Sequence, residues 1–135
     1  MTATHDIAIV GAGPVGAAAA LLHTRRVGAM VVVDETEAVV GILSERDIVR
    51  VIAKEGAAAL TKPISSCMSA KVIFAEPHET VDALLERMTD RRIRHLPVVK
   101  GGRLAGIISI GDLVKHKINE ALAEADGLKA YITAG

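Results

Sequence analysis

The sequence predicts a mixed α/β (α+β) fold built from two copies of a β-α-β-β-α unit, on three observations. First, "RRVGAMVVV" from Arg25 is answered by "RRIRHLPVV" from Arg91 at an offset of 66 residues. Second, "GILSERDIV" from Gly41 is answered by "GIISIGDLV" from Gly106 at an offset of 65. Self-similarity at a fixed period marks a duplicated structural unit, and a one-residue length change between the two blocks is what a surface turn tolerates best. Third, short β-branched runs alternate with stretches of helical period in both copies.

The elements follow in order. "IVGAGPVGAAAALL", from Ile9 to Leu22, reads as a strand, a glycine turn and an alanine-rich helix. Val27–Val33 and Val39–Leu43 are strands around the polar turn Asp34–Glu37. Ser44-Glu-Arg-Asp47 opens a helix, because the hydroxyl accepts from an orphan N–H and the acid sits in the first turn. Thr61–Ser69 is a linker of turn residues. The second unit then repeats the pattern: strand Val72–Ala75, turn Glu76–Thr80, and helix Val81–Arg91 with Ala83, Leu84 and Met88 on its apolar side. Strands Ile93–Val99 and Leu104–Ile108 flank Gly101-Gly102, and Ser109-Ile-Gly-Asp112 opens the last helix. The expected units are 6–56 and 72–120, joined by linker 57–71, with a helix and tail over 121–135 that breaks near Gly127.

Composition narrows the function. Sixteen basic and sixteen acidic residues cancel in a chain of 135, so no long-range field draws it to nucleic acid or an acidic membrane, and neither partner is expected. A single cysteine, Cys67, fits a reducing cytoplasm, and no basic leader precedes the first apolar run. Phe74 and Tyr131 are the only aromatic residues, so a bound ring must lie between aliphatic side chains. The histidines at 5, 23, 78, 95 and 116 have no ligand spacing, and no metal is expected. No nucleophile–base pair is apparent, so no catalytic residue is assigned and an enzyme is not expected.

Gly11-x-Gly13-x-x-Gly16 raises an alternative. It follows a strand, opens a helix and precedes Asp34 by 21 residues counted from Gly13, which is where a dinucleotide-binding loop places its ribose-binding acid. Residues 6 to 35 resemble the N-terminus of FAD-dependent oxidoreductases. On that resemblance Gly11, Gly13, Gly16 and Asp34 would hold FAD or NAD. Against it, strand Val39–Leu43 follows Asp34 too soon for a parallel crossover. The 66-residue offset also runs through the glycines, laying Ile7 on Ile73, Val15 on Val81 and Ala17 on Ala83. Ala17–Ala20 supply little core volume, so the first unit is expected to be the looser one.

The duplicated unit with its Gly-hydrophobic-hydrophobic-Ser-x-x-Asp block, "RIRHLPVV" and "PHETVDALLERM" resembles the CBS domain, here in tandem as a Bateman module. The likeness implies two repeats packed about a pseudo-twofold axis, with clefts that take adenosine ligands such as AMP, ADP, ATP or S-adenosylmethionine. Asp47 and Asp112 would accept from ribose hydroxyls, and Ser44 and Ser109 would meet phosphate. Gly28, Met30, Arg94, His95 and Pro97 would line the base pocket, and Arg46 and Lys115 would reach a phosphate. The implied function is a regulatory, non-catalytic sensor that requires no cofactor, forms a homodimer and is read by an unidentified regulated protein. An oxidoreductase fragment and a structural dimerisation module with empty clefts remain the other readings.

Overall fold

A computed structural model describes residues 8–134; the expected start at residue 6, the Ile7–Ile73 correspondence and the final Gly135 lie outside the described residues. Strand β1 (Ala8–Val10), helix α1 (Val15–Arg25), strands β2 (Ala29–Val33) and β3 (Val39–Ser44) and helix α2 (Glu45–Glu55) form the first repeat. Two short 3-10 helices, Gly56–Thr61 and Ile64–Ser66, make the linker. Helix α3 (Val81–Arg91), strands β4 (His95–Lys100) and β5 (Arg103–Ser109) and helix α4 (Ile110–Ala134) form the second.

The duplication is visible down to single hydrogen bonds. In the first repeat β2 pairs β3 antiparallel with a register shift between Val32 and Val33. In the second, β4 pairs β5 antiparallel with the shift between Val98 and Val99, the equivalent place. Helices α1 and α3 both end on an arginine in the left-handed region, Arg26 and Arg92, each with φ of 54°. The amide of Glu45 donates to the carbonyl of Gly28, and that of Ile110 to Arg94, its counterpart. The hairpins close differently, which accounts for the change of offset. Gly101 and Gly102 take φ of 59° and 77°, a two-residue turn that only glycine adopts without strain. The first hairpin instead wraps the Asp34 carboxylate, whose Oδ1 accepts from the Thr36 amide and hydroxyl and from the Ala38 amide.

The expected strand at Val72–Ala75 shrinks to one parallel bridge, Ala75 to Val98, where the first repeat has the three-residue pairing of β1 with β2. Proline explains this. The Ala75 amide donates to the Pro97 carbonyl and the Val99 amide to Ala75, but the next rung needs an N–H at residue 97, which Pro97 lacks. Helix α4 also departs from expectation. It runs through Gly127 without a break to Ala134.

The first repeat is not loose, because the linker fills it. Val15, Ala18 and Leu22 of α1 pack with Met30, Val32, Leu43 and Ile48, and Ile64 of the linker completes this cluster with its side chain fully buried. Ala18 stands where the second repeat has Leu84, whose cluster of Ala75, Leu84, Met88, Leu96 and Leu113 takes no linker residue. The linker also pairs with the glycine turn. The Ile64 amide donates to the Gly13 carbonyl, Ser65 to Gly11, and Val15 at the start of α1 to Lys62. At its far end Ile42 and Ser69 exchange both backbone hydrogen bonds, each 2.9 Å long. Gly41 permits this approach, since a Cβ there would lie 2.9 Å from the Ser69 carbonyl oxygen.

A half-buried ion pair anchors the second repeat's entry. Arg87 donates to both carboxylate oxygens of Glu79 and to the Phe74 carbonyl. These bonds hold the Glu79 carboxyl down at about 2, from an ordinary 4.5. The ionised form therefore favours the fold. Its contribution is complete above pH 4.5 and is lost as the pH falls from there towards 2. Urea unfolding from pH 6 to pH 3 is expected to show a decline in stability that is shallower in Glu79→Gln; an identical slope in both proteins contradicts the assignment. Ile64→Ala is expected to cost about 3 kcal/mol, as for a fully buried aliphatic side chain. A loss below about 1 kcal/mol in the same assay would show that the linker does not complete the first core.

Candidate functional site

A cavity of about 350 Å³ opens between the repeats. The first repeat supplies Gly28 and Ala29 at the start of β2, Ile42 and Ser44 of β3, and Glu45, Arg46, Asp47 and Arg50 of α2. Ser69 and Lys71–Ile73, at the end of the linker, form one side. The second repeat adds Arg92, Ile93, Arg94, His95 and Pro97 from the end of α3 and the start of β4.

Local folding rules place each group. Ser44 is the N-cap of α2: its Oγ accepts from the Asp47 amide at 3.2 Å, and Asp47 Oδ2 accepts from the Ser44 amide at 2.9 Å and its hydroxyl at 3.0 Å. Asp47 Oδ1 accepts from Arg50 at 3.3 Å. Of roughly four acceptor sites on a carboxylate, three are engaged, and the free one is on Oδ1. Arg92 is thrust outward by the left-handed turn that ends α3. His95 stands over Gly28, where an added Cβ would lie 3.2 Å from Nε2. Burial pushes the His95 imidazole below its ordinary value, opposed by the charges of Glu45 and Asp112. A neutral imidazole offers one donor and one acceptor.

The lining divides by character. Ile42, Val72, Ile73, Ile93 and Pro97 give an apolar slot, and Arg46, Arg50, Lys71, Arg92 and Arg94 face it with positive charge against the two acids Glu45 and Asp47. Such a site combines a wall for a flat apolar group with an excess of cations for an anionic one.

Of the residues singled out in the sequence, Gly28, Ser44, Arg46, Asp47, Arg94, His95 and Pro97 come together here. Met30 does not. Alternation along β2 turns it into the first core, where it is 2% exposed, and Ala29 lines the cavity instead. Ser109, Asp112 and Lys115 lie outside this cavity, at positions equivalent to Ser44, Asp47 and Arg50. Their geometry repeats the first cap, with Asp112 Oδ2 accepting from the Ser109 amide at 2.9 Å and Ser109 Oγ from the Asp112 amide at 3.1 Å. By the 66-residue offset, the counterparts of Lys71–Ile73 are residues 5–7, outside the described residues. Sequence reasoning missed Lys71, Val72 and Ile73 as cavity walls, because they sit in a segment that reads only as linker and strand. Arg92, at the end of α3, was missed as well.

The dinucleotide reading of the glycine turn is corrected. Its three glycines serve close packing by the chain itself: a Cβ at Gly11 would meet Val32 at 3.2 Å, at Gly13 the Val10 carbonyl oxygen at 3.3 Å, and at Gly16 the Leu60 carbonyl oxygen at 3.2 Å. The start of α1, where a pyrophosphate would rest, is covered by the linker, with the Val15 amide bonded to Lys62 at 2.9 Å. Asp34 is spent on its own turn, and those hydrogen bonds hold its carboxyl below the ordinary value. The sheet is also wrong for that fold, since β2 and β3 run antiparallel.

Comparison with known proteins agrees with this geometry. The CBS domain family model matches twice, over residues 3–54 and 64–119. A mitochondrial CBS domain-containing protein of Arabidopsis thaliana, CBSX3, is 39% identical over 113 residues, covering 81% of this chain and 55% of its own length. The chain thus spans about half of that relative. The crystal structure of a CBS-domain protein from Agrobacterium tumefaciens superposes with a TM-score of 0.80 at 44% identity, covering 82% of this chain and 83% of that one. A CBS domain protein from Pyrobaculum aerophilum, complexed with AMP, gives 0.72 at 27% identity, covering 83% and 89%. The CBS domain pair of protein MJ0100, complexed with 5′-methylthioadenosine and S-adenosylmethionine, gives 0.73 at 28%, covering 81% and 88%. With the family matched in both halves and the two repeats folded alike, the chain belongs to the CBS domain family, as a tandem pair.

Proposed function

We propose that this CBS pair is a non-catalytic regulatory module that binds a phosphate-bearing adenine nucleotide in the cavity between its repeats. The observation that carries the reading is the five-to-two excess of cationic over acidic side chains around an apolar slot. The adenosine ligands of the two relatives supply the purine and ribose, and the charge selects among such ligands. Anionic phosphates suit Arg46, Arg50, Lys71, Arg92 and Arg94, whereas the sulfonium of S-adenosylmethionine meets like charge. With no Phe, Tyr or Trp in the lining, the base lies between Ile42, Val72, Ile73 and Pro97. The free acceptor site on Asp47 takes a ribose hydroxyl, and Ser44 lies within reach of the first phosphate. Ser109, Asp112 and Lys115 serve the second, pseudo-symmetric cleft. No cofactor takes part.

Binding acts as a signal because the ligand touches both repeats. It favours the arrangement in which Arg92–His95 close on Ser44–Asp47, and a partner protein reads that population shift. The linker, packed on the first repeat, moves with it, so residues 8–71 form one body and 72–120 the other.

Calorimetric titration is expected to rank ATP and ADP above AMP, and AMP above S-adenosylmethionine, with ATP binding weakened by salt. Arg92→Gly separates site from fold. Glycine relieves a left-handed arginine, worth about 1 kcal/mol, so the melting temperature is expected to hold or rise. Losing one charge-assisted contact lowers ATP affinity about tenfold or more. Unchanged affinity in Arg92→Gly, tighter binding of S-adenosylmethionine than of ATP, or no binding of any adenine ligand overturns the proposal.

A further inference from the structure

At the end of the sheets away from Ser44 and Asp47, a groove opens between the two hairpins. Strands β2 and β4 begin in the first cavity, with Ala29 and His95, and finish in this groove, with Val33 and Val99. No residue lines both spaces. The groove encloses about 1140 Å³, more than the roughly 300–1,000 Å³ of a small-molecule pocket. Its walls are equivalent parts of the two repeats. Ala8 and Val10 answer Phe74 and Glu76 at an offset of 66, and Glu37 and Ala38 answer Gly102 and Arg103 at 65. The walls thus match in position and differ in chemistry.

That chemistry selects an occupant. Val10, Val33, Val39, Phe74, Val99 and Leu104 make an apolar lining. Val10 and Phe74 are 47% and 38% exposed. Phe74 is the chain's only phenylalanine, and Arg87 holds its carbonyl at 3.0 Å. A half-exposed aromatic residue on a fixed backbone is the kind of group that anchors an interface. Four acids in the lining, Asp34, Glu35, Glu37 and Glu76, stand against the single cation Arg103. Among the described residues Glu35 and Glu37 meet no cation, and Glu76 pairs only with the exposed His78. Such a charge repels nucleic acid, free phosphates and anionic lipid. No three acidic, histidine or cysteine groups among the described residues converge as metal ligands. A second copy meeting this one groove to groove would set the acids against each other.

We propose that this groove receives an extended segment of a partner protein, with lysine or arginine at alternate positions and apolar side chains between them. Alternate residues of an extended chain point to opposite sides. The apolar ones turn to Val10 and Phe74, and the cations reach Glu35 and Glu37 on the first hairpin. The docking needs no nucleotide, so it stands or falls separately from the proposed ligand. Because both repeats supply its walls, a segment lying here also senses their packing; that coupling alone rests on the proposed function.

The test is fluorescence anisotropy on the full chain without nucleotide. Its probe is a labelled pool of heptapeptides with lysine at alternate positions and leucine, valine or phenylalanine between. Saturable binding that salt weakens is expected, matched neither by a pool with glutamate in place of lysine nor by spermine. Phe74→Ala is expected to weaken binding about tenfold. Glu37→Gly separates docking from folding, because Glu37 holds a φ of 66° at the hairpin position where Gly102 holds 77°. Its melting temperature is expected to hold or rise while its affinity falls about threefold. Glu124→Gln, which removes an exposed acid from α4 outside the groove, is expected to bind as the unmodified chain does. No binding of the lysine pool, equal binding of spermine or of the glutamate pool, unchanged affinity in both groove variants, or an equal loss in Glu124→Gln overturns the proposal.

Discussion

Most of this molecule depends on one contact, the docking of the 56–69 linker against the glycine turn and alanine-rich helix of the first repeat. Burying Ile64 contributes about 2 kcal/mol of the kind a core isoleucine gives. The greater consequence is positional. The bonds from Ile64 to Gly13, Ser65 to Gly11 and Val15 to Lys62 fix where the linker leaves the first repeat. The Ile42–Ser69 pair then delivers Lys71, Val72 and Ile73 to the cavity. Gly11, Gly13 and Gly16, which look like a phosphate loop, are the notch that admits this strap. Small residues at a helix start serve backbone approach, and whether the approaching group is a pyrophosphate or the chain's own carbonyls depends on what lies downstream.

That is also where the sequence was legible and where it was not. The repeat register was readable because Arg25 at an offset of 66, and Gly41, Ser44 and Asp47 at 65, have counterparts of the same type, and caps and turns are local. The filling of the first core was not, because Ile64 lies 39 residues beyond the end of α1, and nothing local marks it as core. The loss of the Val72–Ala75 strand was hidden for a related reason. The determinant is Pro97, on the partner strand, and a run of β-branched residues cannot report its neighbour's missing N–H. Met30 failed as a cavity residue because the periodicity of β2 assigns faces only once the cavity's side is known. Arg92 was missed because the left-handed turn that directs it to the cavity has no local mark in the sequence.

The two repeats are thus alike in their caps, bulges and helix ends but unequal in their supports. The first repeat is completed by the linker, the second by its own Leu84 and by the Arg87–Glu79 clamp. Inequality of this kind suits a sensor. In the proposed function, a ligand between Arg46 and Arg50 on one side and Arg92 and Arg94 on the other would couple a body carrying the strap to a body carrying helix α4.

The central claim is that the ligand site lies between the repeats while the glycine turn is filled by the chain itself. Mapping backbone amide shifts during an ATP titration tests it most directly. The account predicts large shifts at Ser44–Asp47, Lys71–Ile73 and Arg92–His95, with Gly11, Gly13 and Gly16 unmoved. Shifts centred on Gly11–Gly16, with the cavity residues silent, would contradict it.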